Sequence, residues 1–351
     1  MMDLTQDVRA LTAAIVDIES VSGAEQALAD QVERALSALP HLKVDRSGQT
    51  VVARTELGRG ERVLIAGHLD TVPVAANLPS RLEGDLLYGC GTSDMKAGVA
   101  VALKLAATVP APNRDVTYVF YDCEEIEAER NGLTRVARDH PAWLSADFAV
   151  LMEPTDGEIE GGCQGTLRAE ITVRGKRSHS ARSWFGVNAV HGIQPVLARL
   201  NSYQARLPVV DGLEYHEGLN AVGVRGGVAG NVIPDECVVT VNYRFAPDLS
   251  IEQAQHHVRE VFDGYEVGFV DAAPGARPGL THPVAAAFAT AVGGTPRAKL
   301  GWTDVARFSA LGVPAVNYGP GDPNLAHQQG EYVSLTKIVE CERAMLAWLA
   351  T

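Results

Sequence analysis

The chain has 351 residues, of which 46% are hydrophobic and 21% are charged, a balance typical of a globular protein rather than a disordered one. Its 43 acidic and 30 basic side chains give a formal charge of −13, which disfavours nucleic acid as a partner because polyanions are repelled. The sequence has no apolar stretch of membrane-spanning length, and its first residues, MMDLTQDVRALTAAIVDIES, carry no basic leader segment. We therefore expect no membrane partner and a cytoplasmic location.

Helical and strand-like patterns alternate in the first part of the chain. A helix is predicted after the SVSG turn, where Ser22 and Glu25 have capping-box spacing and apolar residues recur at Leu28, Val32 and Leu36. Continuous apolar runs predict buried strands at RVLIAGH (62–68), VTYVFYDC (116–123) and DFAVLMEP (147–154), with a helix over 94–108 between the first two. This alternation favours a sheet that is covered by helices on both faces.

The pattern changes at about residue 166. In TLRAEITVRG, the apolar residues Leu167, Ala169, Ile171 and Val173 alternate with polar ones, which predicts a half-exposed strand. A helical pattern broken near Pro195 comes next. It is followed by the strand-like runs LNAVGVRGG and CVVTVNYRFAP, a second helix and the strand EVGFVDAAPG. The order βαββαβ is that of a ferredoxin-like unit.

The chain then returns to long apolar elements, including a further buried strand predicted at VPAVNYG (313–319). The fold class expected is therefore α/β, with a smaller α+β domain inserted into it. The discontinuous larger domain is predicted over residues 1–165 and 276–351, and the inserted ferredoxin-like domain over residues 166–275.

Side chains that can bind a metal stand at the ends of the predicted buried strands or in polar loops. These candidates are His68, Asp94, Glu124, Glu125, Glu153 and His327. In α/β sheets, ligands bind beyond the carboxyl ends of the strands, so we expect these side chains to converge. Two imidazoles with three carboxylates suit Zn²⁺, or the similar Co²⁺ and Mn²⁺, and are the right number for two ions that share one carboxylate. A one-metal site is the alternative, and the pattern alone does not decide between the neighbours Glu124 and Glu125.

Seven motifs, spread over most of the chain, carry a family resemblance. They are GHLDTVP (67–73), GCGTSDMKAG (89–98), CEE (123–125), MEP (152–154), GKRSHSA (175–181), NVIPDECVVTVNYR (231–244) and the late His327. Together they resemble the M20 metallopeptidases, which include succinyl-diaminopimelate desuccinylases, acetylornithine deacetylases, aminoacylases and glutamate carboxypeptidases. The resemblance implies a zinc-exopeptidase-like catalytic domain. It also implies that the inserted domain is a lid through which the chain forms a homodimer.

The same resemblance implies a site for two divalent metal ions, Zn²⁺ first and Co²⁺ or Mn²⁺ as alternatives. Asp94 would bridge both ions. His68 and Glu153 would complete one metal site, and Glu125 and His327 would complete the other.

Further roles are implied for residues around the metals. Glu124 would be the general base that takes a proton from the attacking water and passes it to the leaving amine, and Asp70 would orient His68. His179 would reach the other subunit's active site and stabilise the tetrahedral oxyanion. The residues expected to bind substrate are Asn231, Arg244 and Thr303. The plainer alternatives are a role in the hairpin turn for Asn231 and an acid pair inside the lid for Arg244.

The substrate class implied is an N-acyl amino acid, whose amide bond is hydrolysed. The stretches GHLDTVPVAANLPSRLEGDLLYGCGTSDMK and CEEIEAERNGL resemble the desuccinylase branch, so the substrate expected is N-succinyl-L,L-2,6-diaminopimelate. Acetylornithine deacetylase is the first alternative, and an aminoacylase or dipeptidase is the second. An inactive homologue that serves as a scaffold is the alternative from another class.

Overall fold

The computed structural model describes residues 2–350, which form two compact units. The first unit contains the chain up to Gly161, Pro278–Arg297, and the chain from Arg307 onward; the second contains Gly162–Arg277 and Ala298–Ala306. Residues 298–306 lie within the range predicted for the larger domain, but they belong to the second unit. The amide of Gln164 donates to the carbonyl of Gly301, and Nε1 of Trp302 donates to the carbonyl of Pro274.

The helices and strands are numbered in chain order. The helices are α1 Val8–Val16, α2 Gln26–Ser37, α3 Ala97–Thr108, α4 Gly132–Asp139, α5 Gln194–Ser202, α6 Ile251–Val261, α7 Pro283–Val292, α8 Val305–Ala310 and α9 Leu335–Ala350. The strands are β1 Lys43–Ser47, β2 Thr50–Arg54, β3 Arg62–His68, β4 Arg81–Glu83, β5 Leu86–Tyr88, β6 Asp115–Tyr121, β7 Phe148–Leu151, β8 Glu160–Gly161, β9 Gly165–Arg174, β10 Ser178–His179, β11 Val209–Val210, β12 Leu213–Glu214, β13 Gly218–Gly226, β14 Val232–Ile233, β15 Glu236–Phe245, β16 Glu266–Ala273, β17 Arg297–Ala298, β18 Ala315–Asn317 and β19 Tyr332–Ser334.

The first unit is built on a mixed sheet with the strand order β1-β2-β6-β3-β7-β18-β8-β17. β3 runs parallel to β6 and β7, and β18 runs parallel to β7. β1 and β2 pair antiparallel with each other, β2 with β6, and β8 with β18. The carboxyl ends of the four parallel strands therefore lie at one edge of the sheet, and the predicted α/β class is confirmed.

Helices pack on this sheet and form the core of the first unit. Almost every residue of α3 is buried, which explains why its sequence, AGVAVALKLAAT, is apolar all round instead of amphipathic. The rings of Phe148, Phe288 and Trp348 pack together with centroids 4.8 to 6.1 Å apart. These contacts join β7, α7 and α9 in one apolar core, which fixes the strands that carry the candidate ligands.

The second unit contains an antiparallel sheet in the order β13-β15-β9-β16. Its elements follow the chain as β9, α5, β13, β15, α6 and β16, so the predicted βαββαβ order is confirmed. The alternating apolar residues of β9 are buried, as predicted, and pack beneath α5 and α6. A 3-10 helix over His191–Ile193 ends where α5 begins, and Pro195 lies in the first turn of α5, where its missing N–H costs nothing. The predicted break near Pro195 is therefore the junction between these two helices.

The predicted capping box at the start of α2 is wrong. α2 begins at Gln26, and its N-cap residue Glu25 makes no side-chain capping hydrogen bond. The hydroxyl of Ser22 instead donates to Asp70, and the carboxylate of Glu25 accepts from the amides of Gly23 and Cys123. Both polar residues therefore serve tertiary contacts instead of the helix terminus. None of the helices within residues 2–350 has the length and apolar character needed to cross a bilayer.

Candidate metal centre

The candidate ligands gather at the carboxyl ends of the parallel strands in the first unit. His68 is the last residue of β3, the pair Glu124 and Glu125 follows β6, Glu153 follows β7, and His327 lies in the loop between β18 and β19. Within residues 2–350, three overlapping groups have ligand atoms within 4.8 Å of one another: His68, Asp94 and Glu153; Asp94, Glu125 and His327; and His68, Glu124 and Glu125. Asp94 is common to the first two groups.

His68 is buried, and its two ring nitrogens face different partners. Nε2 lies 3.1 Å from Oδ1 of Asp94. Nδ1 lies 3.0 Å from the backbone oxygen of Asp70 and 3.5 Å from Oδ1 of the same residue. Burial lowers the pKa of His68, but hydrogen bonds with Asp70 and Asp94 outweigh it and raise the pKa well above its usual value. One nitrogen therefore faces the acidic cluster while Asp70 holds the other.

Asp70 also holds the backbone of the acidic pair. Its Oδ1 accepts from the amide of Glu124 at 3.0 Å, and its Oδ2 accepts from the amide of Glu125 at 3.1 Å and from the hydroxyl of Ser22 at 2.7 Å. Burial raises the pKa of Asp70, but the hydrogen bond with His68 and these donors bring it down to about 2. One buried carboxylate thus fixes His68, Glu124 and Glu125 together.

Glu125 and His327 face each other across the cluster. Nε2 of His327 lies 2.9 Å from Oε1 of Glu125 and 3.6 Å from Oδ2 of Asp94. The hydrogen bond with Glu125 raises the pKa of His327 to about 9, although partial burial opposes this shift. Asp94 therefore presents Oδ1 toward His68 and Oδ2 toward His327.

The turn before Asp94 requires glycine. Gly91 has φ +78°, and a Cβ there would lie 2.5 Å from Cγ2 of Thr71. The turn continues through Thr92–Lys96, where Asp94 and Met95 leave helical geometry before α3 begins. This close approach of backbone to Thr71 places the Asp94 side chain beside the end of β3.

The remaining predicted site residues belong to the second unit. His179 in β10 is exposed, its Nδ1 accepts from the amide of Ala181, and it pairs with Val232 of β14. The carbonyl of Asn231 accepts from the amide of Ser180, so the structure brings His179 and Asn231 together on adjacent segments. Nε of Arg244 donates to Oδ1 of Asn242 at 3.2 Å.

Arg244 and Thr303 are less exposed than His179. Burial lowers the pKa of the Arg244 guanidinium, and Thr303 is buried just before α8 begins. The hydrogen-bond acceptor of Arg244 is the amide oxygen of Asn242, and the charge of Asp271 partly offsets the effect of burial on the pKa of the guanidinium.

The donor set of the first unit fits a divalent transition metal, because imidazole and carboxylate ligands suit Zn²⁺, Co²⁺ and Mn²⁺. A model of the peptidase family M20/M25/M40 matches residues 64–351. The chain belongs to this family.

Two relatives align over nearly the whole chain. "Putative succinyl-diaminopimelate desuccinylase DapE" of Mycobacterium tuberculosis is 59% identical over 341 residues, covering 96% of each chain. The succinyl-diaminopimelate desuccinylase of Corynebacterium glutamicum is 46% identical over 360 residues, covering 99% of this chain and 98% of that protein. An acetylornithine deacetylase of Myxococcus xanthus is 30% identical over 308 residues, covering 82% and 80%.

Solved structures share the fold. A tripeptidase from Staphylococcus aureus superposes with a TM-score of 0.79 at 20% identity, covering 99% of this chain and 98% of that one. The YxeP protein of Bacillus subtilis, described as a dinuclear metal-binding peptidase, superposes with a TM-score of 0.72 at 16% identity, covering 97% and 96%. At these identities the likeness establishes the fold.

Two residues that hold Glu124 and Glu125 in place, Ser22 and Glu25, are not among the site residues predicted from the sequence. Ser22 donates to Asp70, and the buried Glu25 accepts from the amide of Cys123. Cys123 has φ +58°, an uncommon conformation for a residue other than glycine, and it directly precedes Glu124. Both residues lie in the segment SVSGAE, but the spacing of Ser22 and Glu25 also matches a helix capping box, which is the role that the sequence predicts for them.

Proposed function

We propose that this chain is a metal-dependent amidohydrolase that cleaves N-succinyl-L,L-2,6-diaminopimelate into succinate and L,L-diaminopimelate. The observation that carries the proposal is the near-full-length identity of 59% and 46% to proteins named as succinyl-diaminopimelate desuccinylases. The acetylornithine deacetylase relative is more distant, at 30% identity over a shorter alignment. The cluster of imidazole and carboxylate side chains supplies the chemistry that such a reaction needs.

The metal ligands proposed are His68, Asp94, Glu125, Glu153 and His327. The grouping of ligand atoms supports two ions that share Asp94: one group adds His68 and Glu153, and the other adds Glu125 and His327. When bound, such ions polarise the scissile carbonyl and make a water more acidic. Zn²⁺ is the ion proposed, and Co²⁺ or Mn²⁺ would suit the same ligands.

Glu124 is the proposed general base. Asp70 accepts from the backbone amide of Glu124 at 3.0 Å and from that of Glu125 at 3.1 Å, so the backbone of both residues is fixed. We assign the base to Glu124 and the metal to Glu125. Glu124 takes a proton from the attacking water as the water oxygen bonds to the succinyl carbonyl carbon. The protonated Glu124 then gives this proton to the amine nitrogen as the C–N bond breaks.

The second unit supplies the proposed oxyanion and substrate contacts. His179 is exposed and its Nδ1 accepts from the amide of Ala181, which leaves Nε2 of the ring for a developing oxyanion in the other subunit's active site. The guanidinium of Arg244 suits a substrate carboxylate, of which the succinyl compound has several. Asn231 and Thr303 are the other substrate contacts proposed.

A homodimer through the second unit is also proposed. β13 is an edge strand of its sheet, and the side chains of Val222 and Val224 on it are 62% and 54% exposed. An exposed, apolar edge strand is a ready template for pairing with another chain. Trp184 and Phe185, in the segment after His179, are also exposed.

Comparison of turnover on a panel of substrates tests the reaction. The purified chain, loaded separately with Zn²⁺, Co²⁺ or Mn²⁺, is assayed with the succinyl compound, N-acetylornithine and a dipeptide. We expect the largest kcat/KM for the succinyl compound with at least one metal. A larger kcat/KM for acetylornithine would replace the substrate proposed, and no turnover of any amide by the metal-loaded chain would favour the scaffold alternative.

A further inference from the structure

The buried carboxylate of Glu331 binds three backbone amides of the turn that carries Asp94. Its Oε1 accepts from the amides of Ser93 at 2.8 Å and Asp94 at 3.0 Å, and its Oε2 accepts from the amide of Gly91 at 3.0 Å. Only 2% of the surface of Glu331 is exposed. Both oxygens are thus occupied by the backbone around a single proposed metal ligand.

The segment that carries Glu331 is attached to the same turn by further hydrogen bonds. The hydroxyl of Ser93 donates to the carbonyl of Tyr332 at 2.8 Å, and the amide of Gly89 donates to the carbonyl of Glu331 at 3.1 Å. Tyr332 also pairs with Tyr88 where β19 meets β5. The loop that contains His327 therefore continues directly into the structure that holds Asp94.

Burying a carboxylate beside a cluster of acidic ligands is electrostatically unfavourable unless specific donors stabilise it. Three convergent amides provide such donors, and an isosteric amide side chain would not replace the carboxylate. Glutamine has one acceptor oxygen, so its NH₂ group would face either the amide of Gly91 or those of Ser93 and Asp94. The turn would then lose at least one hydrogen bond and would meet a donor facing a donor.

We propose that Glu331 is a positioning residue for Asp94: it fixes the Gly91–Asp94 turn so that Asp94 presents Oδ1 toward His68 and Oδ2 toward His327, and would thereby hold Asp94 in place as a metal ligand. The inference rests on the proposed function in one respect, the role of Asp94 as the shared ligand. It adds a residue outside the ligand set whose effect on metal binding passes through the backbone.

The test compares Glu331→Gln and Glu331→Asp with a matched control, Asp115→Asn. Asp115 is also a buried carboxylate of the first unit that accepts two backbone amides, those of Leu57 at 2.8 Å and Arg59 at 2.9 Å. It stands at the opposite end of β6 from Glu124 and Glu125. Its loss should lower the melting temperature of the metal-free chain and leave metal binding unchanged.

Metal affinity is measured by calorimetric titration of each metal-free variant with Zn²⁺, and the visible absorption spectrum is recorded with Co²⁺. We expect Glu331→Gln to bind at least one ion about 10 to 100-fold more weakly, as for loss of other outer partners of metal ligands, and to change the Co²⁺ spectrum. Glu331→Asp keeps the charge but shortens the reach, so it should fall between the wild type and Glu331→Gln.

Wild-type Zn²⁺ affinity and Co²⁺ spectrum in folded Glu331→Gln would overturn the proposal, as would an equal loss of affinity in Asp115→Asn. If Glu331→Gln does not fold, wild-type affinity in Glu331→Asp overturns it in the same way. These readouts need no substrate. Failure of the succinyl compound to turn over would therefore refute the proposed substrate without affecting the result for Glu331.

Discussion

Two groups of acidic side chains, one in each unit, are neutralised in different ways. In the second unit, the buried carboxylate of Glu217 accepts two hydrogen bonds from Arg206, at 3.0 and 2.6 Å, one from the hydroxyl of Tyr243 and one from the amide of Ala246. In the first unit, Asp94 lies against the imidazole of His68, and Glu125 lies against that of His327.

The difference lies in the basic partner. A guanidinium keeps its protons in proteins and has no acceptor atom, so Arg206 forms an ion pair with Glu217 wherever that carboxyl is ionised, and it has no nitrogen to offer a metal. An imidazole can release its proton and bind a metal through the freed nitrogen. Glu217 therefore stabilises the fold of the second unit, whereas Asp94 and Glu125 face imidazoles whose protons a cation can replace.

The largest effect expected is that of Glu124→Gln in the first unit. Loss of the proposed general base should lower kcat by about 10²- to 10⁴-fold and leave the metal content unchanged, because no ligand is lost. Steady-state kinetics and elemental analysis check this result. The matched control is Glu127→Gln, an exposed acid of the same loop, which should retain wild-type kcat. Metal loss in Glu124→Gln would contradict the separation of base from ligand.

His179→Ala should have the next largest effect on catalysis. Removal of a donor to the oxyanion typically costs about 10²- to 10³-fold in kcat, and metal content should remain that of the wild type. His216→Ala serves as the control, since His216 is an exposed histidine of the same unit whose Nε2 contacts Glu214. Normal turnover of the His179 variant would remove this residue from the site.

Glu217→Ala should affect stability and leave metal binding unchanged. The variant leaves the hydroxyl of Tyr243 and the amide of Ala246 without their acceptor and breaks the pair with Arg206, which together should cost about 3 kcal/mol of unfolding free energy. Denaturant unfolding measures this loss, and Glu214→Ala, an exposed acid nearby, should cost far less. A loss of metal in Glu217→Ala would break the contrast between the two groups of acids.

A smaller effect is expected from pH. Burial raises the pKa of Glu217, but hydrogen bonds from Arg206, Ala246 and Tyr243 outweigh it and hold the pKa below its usual value. Because the folded state favours the ionised form, the stabilisation is present above the unfolded-state pKa of about 4.3 and is lost as the pH falls below it. The difference in unfolding free energy between the wild type and Glu217→Gln should therefore shrink below about pH 4. A constant difference from pH 7 to 3 would contradict this assignment.

The features that sequence alone could predict are those set by local periodicity. Continuous apolar runs located β3, β6 and β7, and the rule that ligands lie beyond strand ends brought His68, Glu125 and Glu153 to one edge. The alternation in β9 likewise identified a half-exposed strand.

Features that depend on tertiary contacts were not predictable in this way. Ser22 and Glu25 match a helix cap in sequence, yet their partners, Asp70 and Cys123, lie far along the chain. Glu331 carries no local signal at all, since its role depends on three amides that a distant turn presents. The prediction that residues 298–306 belong to the larger domain was wrong because the hydrogen bonds of Gly301 and Trp302 with Gln164 and Pro274 are tertiary contacts.

Metal stoichiometry tests the central claim most directly, which is that the acids of the first unit are arranged to bind two cations through a shared Asp94. The metal-free chain and its Glu125→Gln variant are saturated with Zn²⁺, freed of excess ion and analysed for metal per chain. We predict about two equivalents for the wild type and about one for Glu125→Gln. One equivalent or none in the wild type, or two in the variant, would contradict the account.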